Sequence, residues 1–462
     1  MIVNELSRSR GGVAWYRVDV YVFGMLLLTL MLYQLQLLIP QFSSFHVREV
    51  LYAFLYARVI FFYRIRMTGL LIAVLIFVAF SALVGLHTYY LYGFGMAEHG
   101  FTRFVHLVLI APLAAWILVD DGDVMSMFHL WVIVVLAGVM TVLYQMLGGE
   151  MQWLVQKYIA TRGDLIRYKS LMGEPNVGGM AAALAYLFAS LAIRNQVLKY
   201  IVLFASTFLV VASLSKAAFV GFVFANVAVL FIDLWRARKK DSNWPSRELT
   251  VQAVIMTIWF SLLLFNSVMY RYMEVGLDSF LGRQLAVPGA VEDIRERAID
   301  FKYGIAAAAS EMAHQPTSEP LLREAIKNTD VAASEVAHQP TSEPFALSGT
   351  WLGQSFGRAG SAALEMNVPK AAGPHNMYLE VYIVGGLVFL GSLISVQLLA
   401  LRVMLGRALS GHFMYQMSLA LFSLICLYMT GYPNIYEPIT GSLFWLIIGI
   451  AARAQPSNRF AA

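Results

Sequence analysis

The chain has 462 residues, of which 59% are hydrophobic and only 13% charged, with a net charge of +5. A soluble domain carries roughly 25% charged residues, so charge this sparse excludes a water-facing globule and leaves lipid to cover most of the surface. The single cysteine, Cys426, excludes an intramolecular disulfide and argues against a cysteine-based metal site. Basic cytoplasmic loops account for the small positive balance, which gives no reason to expect a nucleic-acid partner.

The opening residues have no short apolar core followed by a small-residue cleavage site, so the first apolar stretch is expected to remain as an anchor. A membrane span needs about 20 mostly apolar residues. Stretches that meet or approach this are 18–39, 47–63, 69–91, 104–119, 125–147, 177–193, 197–213, 217–235, 249–270, 377–401, 414–431 and 437–452. The expected fold class is therefore all-α, a polytopic transmembrane helix bundle of about 12 spans with one long outer loop. The 47–63 stretch is the weakest, because it carries Arg48 and Arg58.

Orientation follows from Lys and Arg in short loops. Arg236-Ala-Arg238-Lys239-Lys240 and the amino-terminal Arg8, Arg10 and Arg17 both mark the cytoplasmic side. An even number of spans must then separate them, which requires 47–63 to cross. The organisation that results is 1–147 (amino-terminal spans), 148–176 (outer loop), 177–270 (central spans), 271–376 (long outer loop) and 377–462 (carboxy-terminal spans).

Candidate chemistry is met in chain order. Asp121-Gly122-Asp123 has the Asp-x-Asp spacing of many metal-dependent glycosyltransferases, but it falls on the cytoplasmic side, where a stray acidic loop is the simpler reading. The 148–176 loop carries Arg162, Arg167 and Lys169 and ends in Glu174-Pro175-Asn176, an ordinary helix start. Lys216 follows Ser215 at the outer end of the 217–235 stretch. It either snorkels to the interface or presents a fixed positive charge to an anionic head group. In the long loop, Asp293-Ile294-Arg295-Glu296-Arg297 opens an amphipathic stretch that lies on the bilayer or delivers an arginine to phosphate.

The same loop repeats itself: ASEMAHQPTSEP at 309–320 returns as ASEVAHQPTSEP at 333–344, a period of 24. Two copies are too few for a solenoid. His314 and His338 sit among Pro, Ser and Thr without a Cys or Asp cluster, so a solvated insertion is expected rather than a metal site. At the end of the loop, Gly373-Pro374-His375-Asn376 runs into the next span. A histidine side chain ordinarily titrates near neutral pH, which suits His375 to act as a general base; the pair could equally be a helix cap.

Taken in order, these pieces resemble the O-antigen ligase and O-antigen polymerase superfamily of multi-span bacterial membrane glycosyltransferases. The matching pieces are Pro175-Asn176, Ser215-Lys216, Arg297, the Gly-rich turn around Gly353 and Gly357, and His375-Asn376 with Gly386, covering about residues 160–400. The sequence departs from the pattern where Lys216 stands in place of arginine, keeping the charge without the bidentate fork. The duplication also lengthens the stretch between Arg297 and His375.

The resemblance implies an inner-membrane enzyme with its active site facing the periplasm and no metal or other cofactor. Its expected partners are a glycan donor on undecaprenyl diphosphate, a glycan or lipid A-core acceptor, membrane lipids and other polysaccharide assembly proteins. In the implied roles His375 activates the acceptor hydroxyl, and Lys216 and Arg297 stabilise the departing diphosphate. Arg167, Asn176, Arg295 and Asn376 contact substrate, with Asn376 orienting His375.

A polymerase extends a lipid-linked chain, whereas a ligase moves finished glycan to lipid A-core. The polymerase is favoured on Lys216 and on Phe389, which stands where the ligase-type pattern has a small residue or Tyr. The rival class is a transporter or flippase. Apart from Arg58, Lys199 and Glu380, however, the span interiors look nearly free of charge, and no inverted repeat is visible.

Overall fold

The computed structural model describes residues 10–32, 44–63, 65–92, 105–147, 159–162, 165–168, 171, 175–213, 215–240, 377–430 and 437–453. The predicted 249–270 span and the whole 271–376 loop lie outside them. Each of the other predicted stretches coincides with a helix. In chain order these are α1 (Arg10–Met31), α2 (Ser44–Phe62), α3 (Gly69–Tyr92), α4 (Ile110–Ile117), α5 (Asp121–Met146), α6 (Pro175–Ala192), α7 (Gln196–Ala212), α8 (Lys216–Lys240), α9 (Met377–Leu409), α10 (Phe413–Met429) and α11 (Pro438–Ala452).

Among the described residues, four helical stretches are long and apolar enough to cross a membrane: Gly69–Tyr90, Asp121–Met146, Pro175–Ala192 and Val384–Leu409. Shorter apolar helices surround them. The fold is thus mainly α-helical, as the hydropathy predicts. In water, such helices would expose wide apolar faces: Phe61, Tyr90, Leu86 and Leu398 are all outward-facing and exposed. Lipid is the solvent in which those faces cost nothing.

One departure from the all-helical expectation falls in the 148–176 loop. Strands β1 (Ile159–Arg162) and β2 (Leu165–Tyr168) pair antiparallel, with Ile159 opposite Tyr168 and Arg162 opposite Leu165. Gly163-Asp164 stands between them in sequence, the kind of pair that two-residue hairpin connections favour. The loop returns to the bundle at Leu171, which is buried and whose backbone N–H donates to Thr141 Oγ1 (3.0 Å) near the end of α5.

The helices alternate in direction, and polar contacts identify which termini share an end. At one end, Arg453, just past α11, donates to Asp121 at the start of α5 (2.7 Å) and to the Leu118 and Val119 carbonyls after α4 (3.3 and 3.4 Å). Arg407, near the end of α9, donates to the Arg453 carbonyl (3.2 Å) and to Tyr415 near the start of α10. Thr68, before α3, donates to the Ala452 carbonyl (3.1 Å), and Tyr16 in α1 donates to Asp123.

The weak 47–63 stretch has its explanation at this end as well. Asp19 of α1 is fully buried and accepts two bonds from the Arg58 guanidinium (2.9 and 3.0 Å) and one from Tyr63 (2.8 Å). The Arg58 guanidinium also lies 4.3 Å from the Phe62 ring centre and 5.3 Å from that of Trp15. A charge that would disqualify α2 alone is neutralised by a partner on α1. Asp19 is a buried span charge that hydropathy reading passes over.

The predicted 377–401 span is corrected. Gly386 has φ 70° and ψ −166°, which interrupts α9. Tyr378 and Gln397 would be about 28 Å apart along an unbroken helix of 1.5 Å rise, yet their side chains hydrogen-bond. Residues 377–385 therefore double back beside the long segment 387–409. Gly385 lacks a Cβ where one would fall 2.4 Å from Phe389 Cβ, so the turn closes only with glycine there.

Candidate functional site

The end of the bundle opposite Arg453 gathers the described parts of the predicted site. Helix α6 begins at Pro175, a residue suited to the first helical position because its missing N–H would have no helical partner there. Asn176 is next, half-buried. Helix α8 begins at Lys216 and is capped by Ser215, whose Oγ accepts from the Ala218 N–H (3.3 Å). Ser213, the last residue before this turn that is described, donates its hydroxyl to the Val210 carbonyl (2.7 Å) and accepts from the Ser215 N–H (3.3 Å).

Helices α6 and α8 run in the same direction, and their first turns touch. A Cβ on Gly179 would fall 2.3 Å from Ser213 Oγ and 2.7 Å from Ala218 Cβ. Only glycine lets the backbone of α6 come this close to the α7–α8 turn. Two helix amino termini therefore lie side by side, each presenting the positive end of the helix dipole. Lys216 is the first residue of α8 at this place. Pro175-Asn176 and Ser215-Lys216, 40 residues apart in sequence, are brought together.

Helix α10 closes the other flank of α8. The Tyr428 ring packs on α8 so tightly that a Cβ on Gly221 would lie 2.0 Å from its hydroxyl. Two residues earlier, Cys426 lies within electrostatic reach of Tyr378 of the doubled-back segment. Within that segment Met377, Glu380 and Val381 are buried, Glu380 to 2% exposure. The chain thus emerges from the long loop into a buried segment packed on α10, which in turn packs on α8. Sequence reading recognises Glu380 as an unusual span charge but misses Tyr378 and Gln397; a glutamine inside an apolar run was the available signal.

The other site predictions fall as follows. Arg167 lies in β2, opposite Ala160, and the register places positions 162 and 167 on one face of the hairpin. His375, Asn376, Arg295 and Arg297 lie outside the described residues, as do the duplication and the Gly353–Gly357 turn.

The Asp-x-Asp motif has structural employment: Asp121 pairs with Arg453 and Asp123 accepts from Tyr16. Among the described residues no group of three metal-ligating side chains forms. Phe389 is buried and stacked on Phe77, ring centres 4.9 Å apart.

Compared with known proteins, the chain matches no family model and no curated protein. What the site can do chemically must be argued from its own residues. Paired helix starts with a lysine suit an anion, and phosphate in particular. A carboxylate and a glutamine on the neighbouring segment suit uncharged hydrogen-bond donors.

Proposed function

We propose that the protein is a membrane glycosyltransferase of about twelve spans that transfers glycan from undecaprenyl diphosphate at the periplasmic face. The reading rests on one observation above all: the starts of α6 and α8, with Asn176 and Lys216, are held side by side through Gly179. That arrangement suits a diphosphate leaving group, whose developing charge fixed dipoles and a cation can hold without reorganising. His375 would take the proton from the acceptor hydroxyl, and Arg297 would join Lys216 on the diphosphate. Arg167, Arg295 and Asn376 keep their expected supporting roles.

Orientation is read from the basic residues. Arg58, Arg407 and Arg453 lie at the end opposite the paired helix starts, and we read that end as cytoplasmic under the positive-inside rule. Chain extension of a lipid-linked repeat unit is the preferred reaction, on Lys216 and Phe389; transfer to lipid A-core is the alternative.

The experiment is transfer by purified protein supplied with lipid-linked oligosaccharide and no divalent metal. Transfer is expected, with loss of at least a hundredfold on His375→Ala. Lys216→Arg should keep most activity and Lys216→Ala little of it; equal rates for the two would return Lys216 to an interfacial anchor. A second reading, movement of lipid-linked glycan across the bilayer, is favoured by the break in α9, since interrupted helices are a feature of transporter sites. Flipping in vesicles without any transfer would select it.

A further inference from the structure

At the end opposite the paired helix starts, three side chains have hydrogen-bond donors to spare. Arg407, in the last turn of α9, uses Nη1 on the Tyr415 hydroxyl and Nη2 on the Arg453 carbonyl (3.2 Å). A guanidinium has five N–H groups and accepts nothing, so much of its capacity is left. Among the described residues no carboxylate stands within ion-pair distance of Arg407. Arg453 is 7% exposed. Its Nη atoms are engaged by Asp121 and two carbonyls, but Nε is buried without a partner among the described residues. Tyr415 is buried too. Its hydroxyl accepts from Arg407, and its own proton has no acceptor among the described residues.

These groups converge. Both guanidinium carbons lie against one ring, Arg407 at 4.7 Å and Arg453 at 6.0 Å from the centre of Tyr415. Two like charges at one ring repel, and Asp121, which pairs with Arg453, is largely exposed and so screened by water. Tyr415 stands in the first turn of α10, at the positive end of its dipole, and that helix starts after His412 without a side-chain cap. Depth matters as well. The long apolar stretch Val384–Leu409 ends two residues beyond Arg407, and Leu405 and Leu409 are exposed. In a bilayer that is the level at which acyl chains give way to head groups.

We infer that Arg407, Arg453 and Tyr415 bind the phosphate of an anionic phospholipid head group where α9, α10 and the end of α11 meet. The spare groups are all donors, and a phosphodiester anion offers only acceptors. A sugar hydroxyl, which must also donate, finds no such match. The guanidinium fork fits phosphate oxygens in pairs, and basic pockets between membrane helices recognise head groups in this way. Arg407 supplies the charge that no carboxylate neutralises. Arg453 Nε and the Tyr415 hydroxyl add donors beside it. No bond is made or broken: the lipid ties α9 to α10 and α11. The site does not depend on the glycosyltransferase reading.

The test compares thermal unfolding of the full-length protein in nanodiscs of phosphatidylcholine alone and of phosphatidylcholine mixed with phosphatidylglycerol. The wild type is expected to unfold about 4 °C higher in the mixed discs. Arg407→Gln should abolish that difference and Arg407→Lys should keep part of it. Because each variant is compared with itself in two lipids, any general loss of stability cancels. Arg402→Gln removes an exposed arginine of the same helix that makes none of these contacts, and it should keep the full difference. A difference that survives Arg407→Gln, or that falls equally in Arg402→Gln, would overturn the site in favour of general surface attraction. No difference in the wild type would overturn it outright. Inorganic phosphate added to phosphatidylcholine discs should leave the unfolding temperature unchanged; a rise equal to that with phosphatidylglycerol, lost in Arg407→Gln, would assign the site to free phosphate and overturn the head group. Tyr415→Phe keeps the ring and loses the hydroxyl. It should shrink the lipid difference, and should Arg407→Gln fail to fold, an undiminished difference in Tyr415→Phe would overturn the proposal in its place.

Discussion

The two ends of this bundle hold their helices together by different means. At the end marked by Arg453, charges close upon one another. Asp19 is matched by Arg58 and Tyr63, Asp121 by Arg453, and Asp123 by Tyr16. At the other end glycine makes close contacts, as at Gly179 and Gly221, and His106 pairs with Glu49 (3.0 Å). Among the described residues, Gln145 near the end of α5 and the Tyr428 hydroxyl are buried without a hydrogen-bond partner. A buried group left unsatisfied costs about 1–3 kcal/mol. Such costs fall at both ends, since Arg453 Nε is also buried without a partner among the described residues; the first end is held by linked ion pairs, the second by glycine contacts among α6, α8 and α10.

If this contrast is right, substitutions at the Arg453 end should cost stability and spare transfer. The largest effect is expected for Asp19→Ala, which leaves Arg58 without its carboxylate. About 3–5 kcal/mol should be lost, read as a fall in thermal unfolding temperature in detergent. Joint replacement with Arg58→Met should recover much of it. A neutral Asp19→Ala would mean the pair fixes nothing.

Next comes Gly221→Ala, whose new Cβ would meet Tyr428. Overpacking of about 1–3 kcal/mol is expected, and Tyr428→Ala in the same molecule should relieve part of it, giving a measurable coupling energy. Strict additivity would contradict the close contact.

The smallest effect is expected for Asp121→Asn. Its side chain is 63% exposed, so its ion pair is worth at most about 1 kcal/mol. Transfer should be unchanged in this variant and unaffected by chelators. A metal requirement abolished by it would move the chemistry to the Asp-x-Asp end and reverse the comparison.

Much of the fold was legible because hydropathy reports lipid exposure directly. The long apolar runs of α3 and α5 could hardly be anything else. What escaped has a common cause: it depends on contacts between segments far apart in sequence. Asp19 reads as a tolerable charge near a membrane surface until Arg58 is placed against it. The break at Gly386 is invisible to a sliding average, because apolar residues continue on both sides; the Gly385-Gly386 pair was the local hint. The β-hairpin had a clear turn in Gly163-Asp164 and alternating residues around it, but a short loop of cations draws attention to charge before backbone. As for the site, the sequence named Asn176 and Lys216 separately. Their meeting depends on Gly179, a residue with no side chain and hence no chemical signature.

Helix α6 carries one more consequence. Its window is 83% buried, against 39–50% for the other three long apolar helices, and its mean hydropathy, 1.3, is the lowest of the four. Alanines 181, 182, 183, 185 and 189 keep it slim. A helix that bilayer scarcely touches in the finished protein must nonetheless enter the bilayer during synthesis, when its neighbours α7 and α8 have yet to emerge. It then meets lipid with its least apolar credentials and waits for later helices to enclose it. Order of assembly is therefore written into α6: slowing the arrival of α7 and α8 should harm this helix first, and with it the floor on which the paired helix starts are laid.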